Sequence, residues 1–295
     1  MARKTDLRSL GVAEQGELGL DRAAVAGEAA GAEPQIVAVL HHEGAVGDGL
    51  ADAGAGFGPQ PVVVDALVVS AAVARLLGPA APHRLRVLGS GRGAVHLDLG
   101  GVVVTLTGPG VPWMPNGIAV AALPEVPAVR WDAVAPPLWD PVVAPLEGGR
   151  AAVTAFARWL TARVAPPGVA LEGAGDRLVG RGAGLTPEGD DILGGAAIGL
   201  RALGPAAGLA TGRIDALAGA LCPADVRRRT GALSATLLEL AAVGAAPEPV
   251  LRLLGTGDRP EALADLRRLG ASTGGAIAAG IALAAEYVLS ATGEG

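Results

Sequence analysis

The stretch Gly180-Arg181-Gly182-Ala183-Gly184-Leu185-Thr186-Pro187-Glu188-Gly189-Asp190-Asp191 restricts the fold of this chain more than any other. Its glycines let the backbone take positive φ and let other groups come close to the amides. Thr186 suits an N-cap and Pro187 the first helical position, so the pattern predicts a helix from 187 to about 203. Amides exposed at such a helix start attract anions. Two adjacent acids at the same place repel each other, and any anion, unless a cation or a proton is present. Neighbouring helix positions point about 100° apart, so one acid is expected to face a ligand and the other a neighbouring helix or a basic residue.

The rest of the chain has to build a core without aromatics, which make up only 2% of 295 residues that are 51% hydrophobic. Ala, Val, Leu and Gly must supply the burial, and small side chains favour close helix–helix approach. Gly195 and Gly199, four apart on the motif helix, fit that pattern. The length allows two domains or one large one. Residues 1–60 read as a weakly structured Gly/Ala-rich extension, with a short strand at 36–40 and a solvated loop at His41-His42-Glu43. Residues 61–148 read as a β-rich domain with a connector. Runs at 85–88, 94–99, 102–106 and 118–122 are rich in β-branched or alternating residues, and Gly100-Gly101 reads as a tight hairpin turn. Residues 62–77 read as a helix after a short extended start. The Pro-rich piece 124–145 reads as a connector pinned by Trp131 and Trp139, and Trp113 as a local plug. Residues 149–295 read as helical, with helices near 151–164, 187–203, 214–221, 227–243, 247–254, 259–269 and 272–289. The fold class expected is α+β, a β-rich N-terminal part followed by an all-helical C-terminal part.

Composition also narrows the function. The formal charge is −6, and the only compact basic run is Arg227-Arg228-Arg229, which argues against nucleic-acid binding. The single cysteine, Cys222, excludes an internal disulfide and a cysteine-based metal cluster. No signal peptide is recognisable, and the apolar run 276–285 is too short to span a bilayer. A cytoplasmic protein without nucleic-acid or membrane partners is expected.

The chemistry is expected at the central motif. Backbone from Gly182 through Gly184, Leu185 and Thr186 to Gly189 would cradle a small anion. Asp190 or Asp191 would act as general base, or hold a divalent ion beside the anion, with Arg181 as a fixed positive charge. The plainer reading makes the stretch a turn whose acids complement the helix dipole. Ser272-Thr273-Gly274-Gly275 repeats the theme of a hydroxyl cap before a small-residue helix, and could supply Ser272, Thr273 and Gly274 to the same pocket. Asn116-Gly117 is a turn with a candidate ligand-binding amide. Thr230 and Ser234, four apart, share a helix face, where such hydroxyls are usually bonded back to their own helix. His96 reads as a packed strand histidine.

Gly182 to Gly195 resembles the glycine-leucine-threonine-proline, glycine-aspartate-aspartate signature of a bacterial family whose best-known member is the AllH subunit of oxamate carbamoyltransferase. Residues 112–120, 230–238 and Ser272-Thr273-Gly274 resemble it more loosely, and the likeness spans roughly 85–290. The resemblance implies a subunit that works with other chains in ureide (allantoin) catabolism. That enzyme uses phosphate to split oxalurate into oxamate and carbamoyl phosphate. The glycine loop would then hold phosphate, carbamoyl phosphate or a ureide carboxylate. A second, shorter likeness joins Gly189-Asp190 and Gly194-Gly195 to the anion loop of ribokinase-like sugar kinases, which would imply a phosphotransferase with an aspartate base. A third reading is a non-catalytic assembly subunit.

Overall fold

The computed structural model describes residues 38–41, 62–63, 66–77, 83–91, 93–123, 129–130 and 138–293. Strands come first: β1 (Ala38–His41), β2 (Val62–Val63), β3 (Ala66–Ser70), then α1 (Ala71–Leu77), β4 (His83–Gly91), β5 (Ala94–Leu99), β6 (Val102–Thr107), β7 (Gly117–Val120), β8 (Val129–Arg130) and β9 (Leu138–Trp139). Helices follow: α2 (Gly149–Thr161), α3 (Ala174–Leu178), α4 (Glu188–Ala207), α5 (Thr211–Leu221), α6 (Val226–Arg229), α7 (Ala232–Ala242), α8 (Glu248–Leu254), α9 (Arg259–Arg267) and α10 (Thr273–Ala291). The expected α+β division is what the chain adopts.

The main sheet is mixed, in the order β1-β4-β5-β6-β7-β3-β9, and β2 and β8 form a separate parallel pair. Its centre is the β5–β6 hairpin, turned by Gly100 and Gly101 with φ of 61° and 93°, as a tight two-residue turn requires. Strand alternation then sorts β6 into two faces. Val104 and Leu106 join Val69, Val95, Leu97, Ile118 and Val120 in a small apolar core under α1. Val103, Thr105 and Thr107 point the other way, and the backbone N–H of Val103 donates to Thr236 Oγ1 of α7. The sheet is thereby fastened to the helix that also serves the site below.

Two local expectations are corrected. Residues 66–70 are a strand and not the start of a helix. The β-branched Val68-Val69 fits between β7 and β9, and Ser70 Oγ accepts from Ala72 N, so the helix begins only at Ala71. The long helix expected at 227–243 is broken into α6 and α7 by an extended Thr230 and Gly231. The short strand expected at 36–40 falls on β1, which pairs in parallel with β4. The remainder of 1–60 lies outside the described residues, as do His42, Glu43 and Trp131. Trp139 does pin the connector, meeting Trp113 edge to face at 5.8 Å.

The helical part is organised around α4 and α10, which cross at backbone distance. A Cβ on Gly195 would lie 2.1 Å from Ile277 O, and one on Gly280 2.0 Å from Ile192 O. Each helix thus gives a glycine to the other's main chain. Leu193, Leu200, Leu203, Ile281 and Val288 fill the core around this crossing. By length and apolarity alone α10 could cross a membrane; here it is a packed helix, laid against α4, α2 and α9.

Candidate functional site

The loop before α4 is held at both ends. Arg181 N donates to Leu178 O at 2.9 Å, and Gly189 N donates to Arg181 O at 2.8 Å. Gly180, Gly182 and Gly184 all take positive φ, at 72°, 117° and 104°. Gly180 is required by packing as well, since a Cβ there would lie 2.3 Å from Arg229 O, where the loop crosses the α6–α7 break. Gly189 is a packing glycine too, with Leu178 O 2.2 Å from a notional Cβ. Residues 182–185 are exposed, and their amides, with that of Thr186, meet no protein acceptor among the described residues.

The helix starts one residue later than expected. Pro187 occupies the N-cap position, and its carbonyl accepts from Asp190 N and Asp191 N. Thr186 does not cap. Its hydroxyl turns inward and donates to Asp191 Oδ2 at 3.2 Å. Gly189 N is also already taken, so most of the open amides belong to the loop rather than to the helix end.

Asp190 and Asp191 diverge as adjacent helix positions must. Asp190, 2% exposed, faces α7. One oxygen accepts from Gly180 N at 2.7 Å; the other accepts from Ser234 Oγ at 2.7 Å and from Thr230 Oγ1. Three donors from three segments converge on this carboxylate. Thr230 and Ser234 are therefore not bonded back to their own helix, and the break at Thr230 is what frees the first to point inward. Sequence reasoning noted their shared face but missed their partner. The signal was there: a hydroxyl pair at i, i+4 in a chain whose motif leaves one acid needing a neighbour.

Asp191 lies on the side of α10. It is 6% exposed, Thr273 and Thr186 both give it side-chain hydrogen bonds, and the two threonine hydroxyls stand 3.1 Å apart. Burial pushes its carboxyl from the ordinary 3.8 up to about 7; the hydroxyl bonds pull it down, and the charges of Asp190 and Glu188 add to the rise. A carboxyl with a raised folded value binds its proton more tightly in the folded chain. This group's contribution to stability is therefore fullest below pH 4 and is lost as pH rises towards 7. Three units correspond to about 4 kcal/mol at most. Asp191→Asn, a mimic of the neutral acid, is expected to gain stability relative to wild type by a few kcal/mol between pH 4.5 and pH 8. Urea unfolding of both proteins at the two pH values measures it; an unchanged difference refutes a protonated Asp191.

The other candidates divide. Thr273 belongs to the site. Ser272 is exposed and gives α10 no side-chain cap. Gly274 is turned to α9, where a Cβ would meet Leu266 O at 1.7 Å, and its amide donates to Leu269 O. Asn116 is buried on the sheet; its Nδ2 donates to Val103 O and Thr105 Oγ1 of β6, and no hydrogen bond joins it to the glycine loop. His96 shares Thr105 Oγ1, and burial lowers its pKa, as expected of a packed histidine. Arg181 is exposed. The basic run is paired locally, Arg227 with Glu239, Arg228 with Asp225 and Arg229 with Asp176. The two acids do not fit a metal: Asp190 is spent on three protein donors, and no group of three or more His, Cys, Asp or Glu gathers among the described residues.

No curated protein and no solved structure matches the chain. A family does: residues 178–285 match oxamate carbamoyltransferase subunit AllH. The matched span takes in the glycine loop, both acids, Thr230, Ser234 and Thr273, and leaves out the sheet. The likeness to AllH runs over part of the helical region, from the end of α3 into α10.

Proposed function

We propose that this chain is a subunit of a cytoplasmic carbamoyltransferase-type enzyme that acts on a ureide, with its glycine loop as the anion site and Asp191 as its proton carrier. The family match supports the subunit role. The observation that carries the chemical reading is Asp191, with its carboxyl pushed up to about 7, under a loop of unpaired amides. The amides of 182–186 would hold phosphate, carbamoyl phosphate or a substrate carboxylate. When phosphate oxygen bonds to the carbamoyl carbon and the carbon–nitrogen bond breaks, the leaving nitrogen needs a proton. A carboxylic acid titrating near neutrality can give it and take it back in reverse. Asp190 is assigned to holding the loop, which leaves the kinase-like alternative without its aspartate base.

The test is turnover of the complex reconstituted with its partner chains. Asp191→Asn is expected to lower kcat by about 100-fold or more and to remove the limb of the pH–rate profile near 7. Unchanged turnover and an unchanged profile would exclude Asp191 from the chemistry.

One observation favours an additional role in assembly. Leu185, at the loop tip, is 62% exposed. An apolar side chain there, beside an open anion site, suits burial by a partner subunit that closes the site. Leu185→Gln, which removes the apolar surface without adding charge to the loop, is expected to abolish co-purification of the partner chains while phosphate binding by the isolated chain changes less than about twofold. Intact assembly of that variant would remove this role.

A further inference from the structure

A cavity lies at the other end of α4. Leu146 N donates to Ala202 O, twelve residues and about 18 Å along the helix from Asp190. There the segment before α2 and the α8–α9 turn line a half-open cavity of about 330 Å³, within the size range of small-molecule pockets. Its walls are apolar, with Val142 and Leu146 on one side and Leu251 and Leu254 on the other. Two charged residues line it, Arg259 and Glu147.

Arg259 is poorly served by the protein. Its Nε is buried and has no hydrogen-bond partner, and Nη2 reaches Gly255 O only at 3.4 Å. The guanidinium lies over the ring of fully buried Phe156, 5.3 Å from its centroid. Among the described residues no carboxylate stands within ion-pair distance, although Glu147 shares the cavity and Asp258 is the preceding residue. The Asp258 side chain instead accepts from Glu261 N, as the cap of α9. A guanidinium is a fork of five donors, and a buried donor left unmade is costly. A planar carboxylate matches that fork with two parallel bonds. Glu147 on the same cavity disfavours a doubly charged anion. The apolar walls favour a ligand with a hydrocarbon body rather than a bare ion.

We propose that this cavity binds a small aliphatic monocarboxylate, its carboxylate on Arg259 and its branched body between Val142, Leu146, Leu251 and Leu254. The site is separate from the glycine loop, and half its wall, residues 142–147, lies outside the AllH-matched span. A ligand there would bridge the connector to the α8–α9 pair and brace the helical part from the end opposite the loop.

The experiment is isothermal titration of the full chain in 150 mM salt with isovalerate, acetate and inorganic phosphate as probes. Isovalerate is expected to bind saturably, and acetate at least about tenfold more weakly because it lacks the apolar body. Arg259→Gln should weaken isovalerate at least about tenfold, and Leu254→Trp, which fills the cavity, should abolish binding. Asp191→Asn should leave isovalerate affinity within about twofold, which separates this site from the loop. Circular dichroism confirms that each variant is folded; should Leu254→Trp fail that check, Leu251→Phe replaces it. No saturable isovalerate binding, equal affinity for acetate, displacement of bound isovalerate by inorganic phosphate, or unchanged affinity in Arg259→Gln would each overturn the proposal.

Discussion

Gly195→Ala is expected to cost about 3 kcal/mol or more, the upper end of what overpacking does, whereas Gly194→Ala next to it is expected to stabilise by about 0.5–1 kcal/mol. The difference lies in what each new methyl would meet. At Gly195 it would lie 2.1 Å from Ile277 O and 2.8 and 2.9 Å from the carbonyl carbon and Cα of the same residue. All three atoms are main chain of a helix locked into the same core, so no rotamer change relieves the clash. The α4–α10 crossing must open, and Gly280, which approaches Ile192 O equally closely, loses its contact at the same time. At Gly194 the nearest atoms are side-chain carbons of Ala241 and Leu238 at 3.7 and 3.9 Å, ordinary contact distance. There alanine only removes the entropy penalty of glycine in a helix. Urea denaturation of the two variants reads opposite signs. Two losses of similar size would mean that α4 and α10 do not cross as described.

That crossing was legible in outline. A chain so poor in aromatics has to pack by proximity, and Gly195 and Gly199 four apart marked the face where it does so. The partner glycine at 280 was not legible, because nothing local pairs it with residue 192. The hairpin at Gly100-Gly101 could be read because a two-residue turn with positive φ leaves almost no other choice of residue. Residues 66–70 misled because Ala66 to Leu77 carries a helical spacing, and only the pairing of β3 with β7 and β9 overrides it; a pattern within one segment does not contain its tertiary partners. At the site, the sequence located the loop and the acids and foresaw that they would part. It placed the cap on Thr186, since hydroxyl-before-proline is the ordinary signal. That hydroxyl had a stronger use against Asp191, whose neighbour Thr273 arrives from 82 residues further on. The broken helix at Thr230 was hidden for the same reason: the helical hydrogen bonds given up at an extended residue there are offset by the bond to Asp190, forty positions away.

Asp190→Ala should behave as the opposite of a change at Asp191, and this contrast separates the roles of the two acids. Removing the Asp190 carboxylate strands Gly180 N, Thr230 Oγ1 and Ser234 Oγ, all of which point at it from different segments. Hydrogen bonds to a charged acceptor contribute about 1.5–3 kcal/mol each, and their orphaned partners add desolvation cost, so a loss of about 3–5 kcal/mol is expected. The loss should fall on the loop first, because Gly180 is where the loop leaves α3, and protease cleavage within 180–186 should rise before global unfolding does. Ser234→Ala alone should cost about 1–2 kcal/mol, and the double variant Asp190→Ala, Ser234→Ala less than the sum, since the two groups bond to each other. At pH 8, Asp191→Asn should by contrast cost nothing or stabilise, because it removes a carboxylate that the fold holds against its preference. Were both substitutions to destabilise alike at pH 8, burial would not be what raises Asp191. The reading of one acid as a clasp and the other as a proton carrier would then have no basis in their surroundings. Opposite signs would mean that the pair is one function split over two faces of a helix: Asp190 spends its charge to fix the loop, and Asp191 remains free to exchange its proton beneath it.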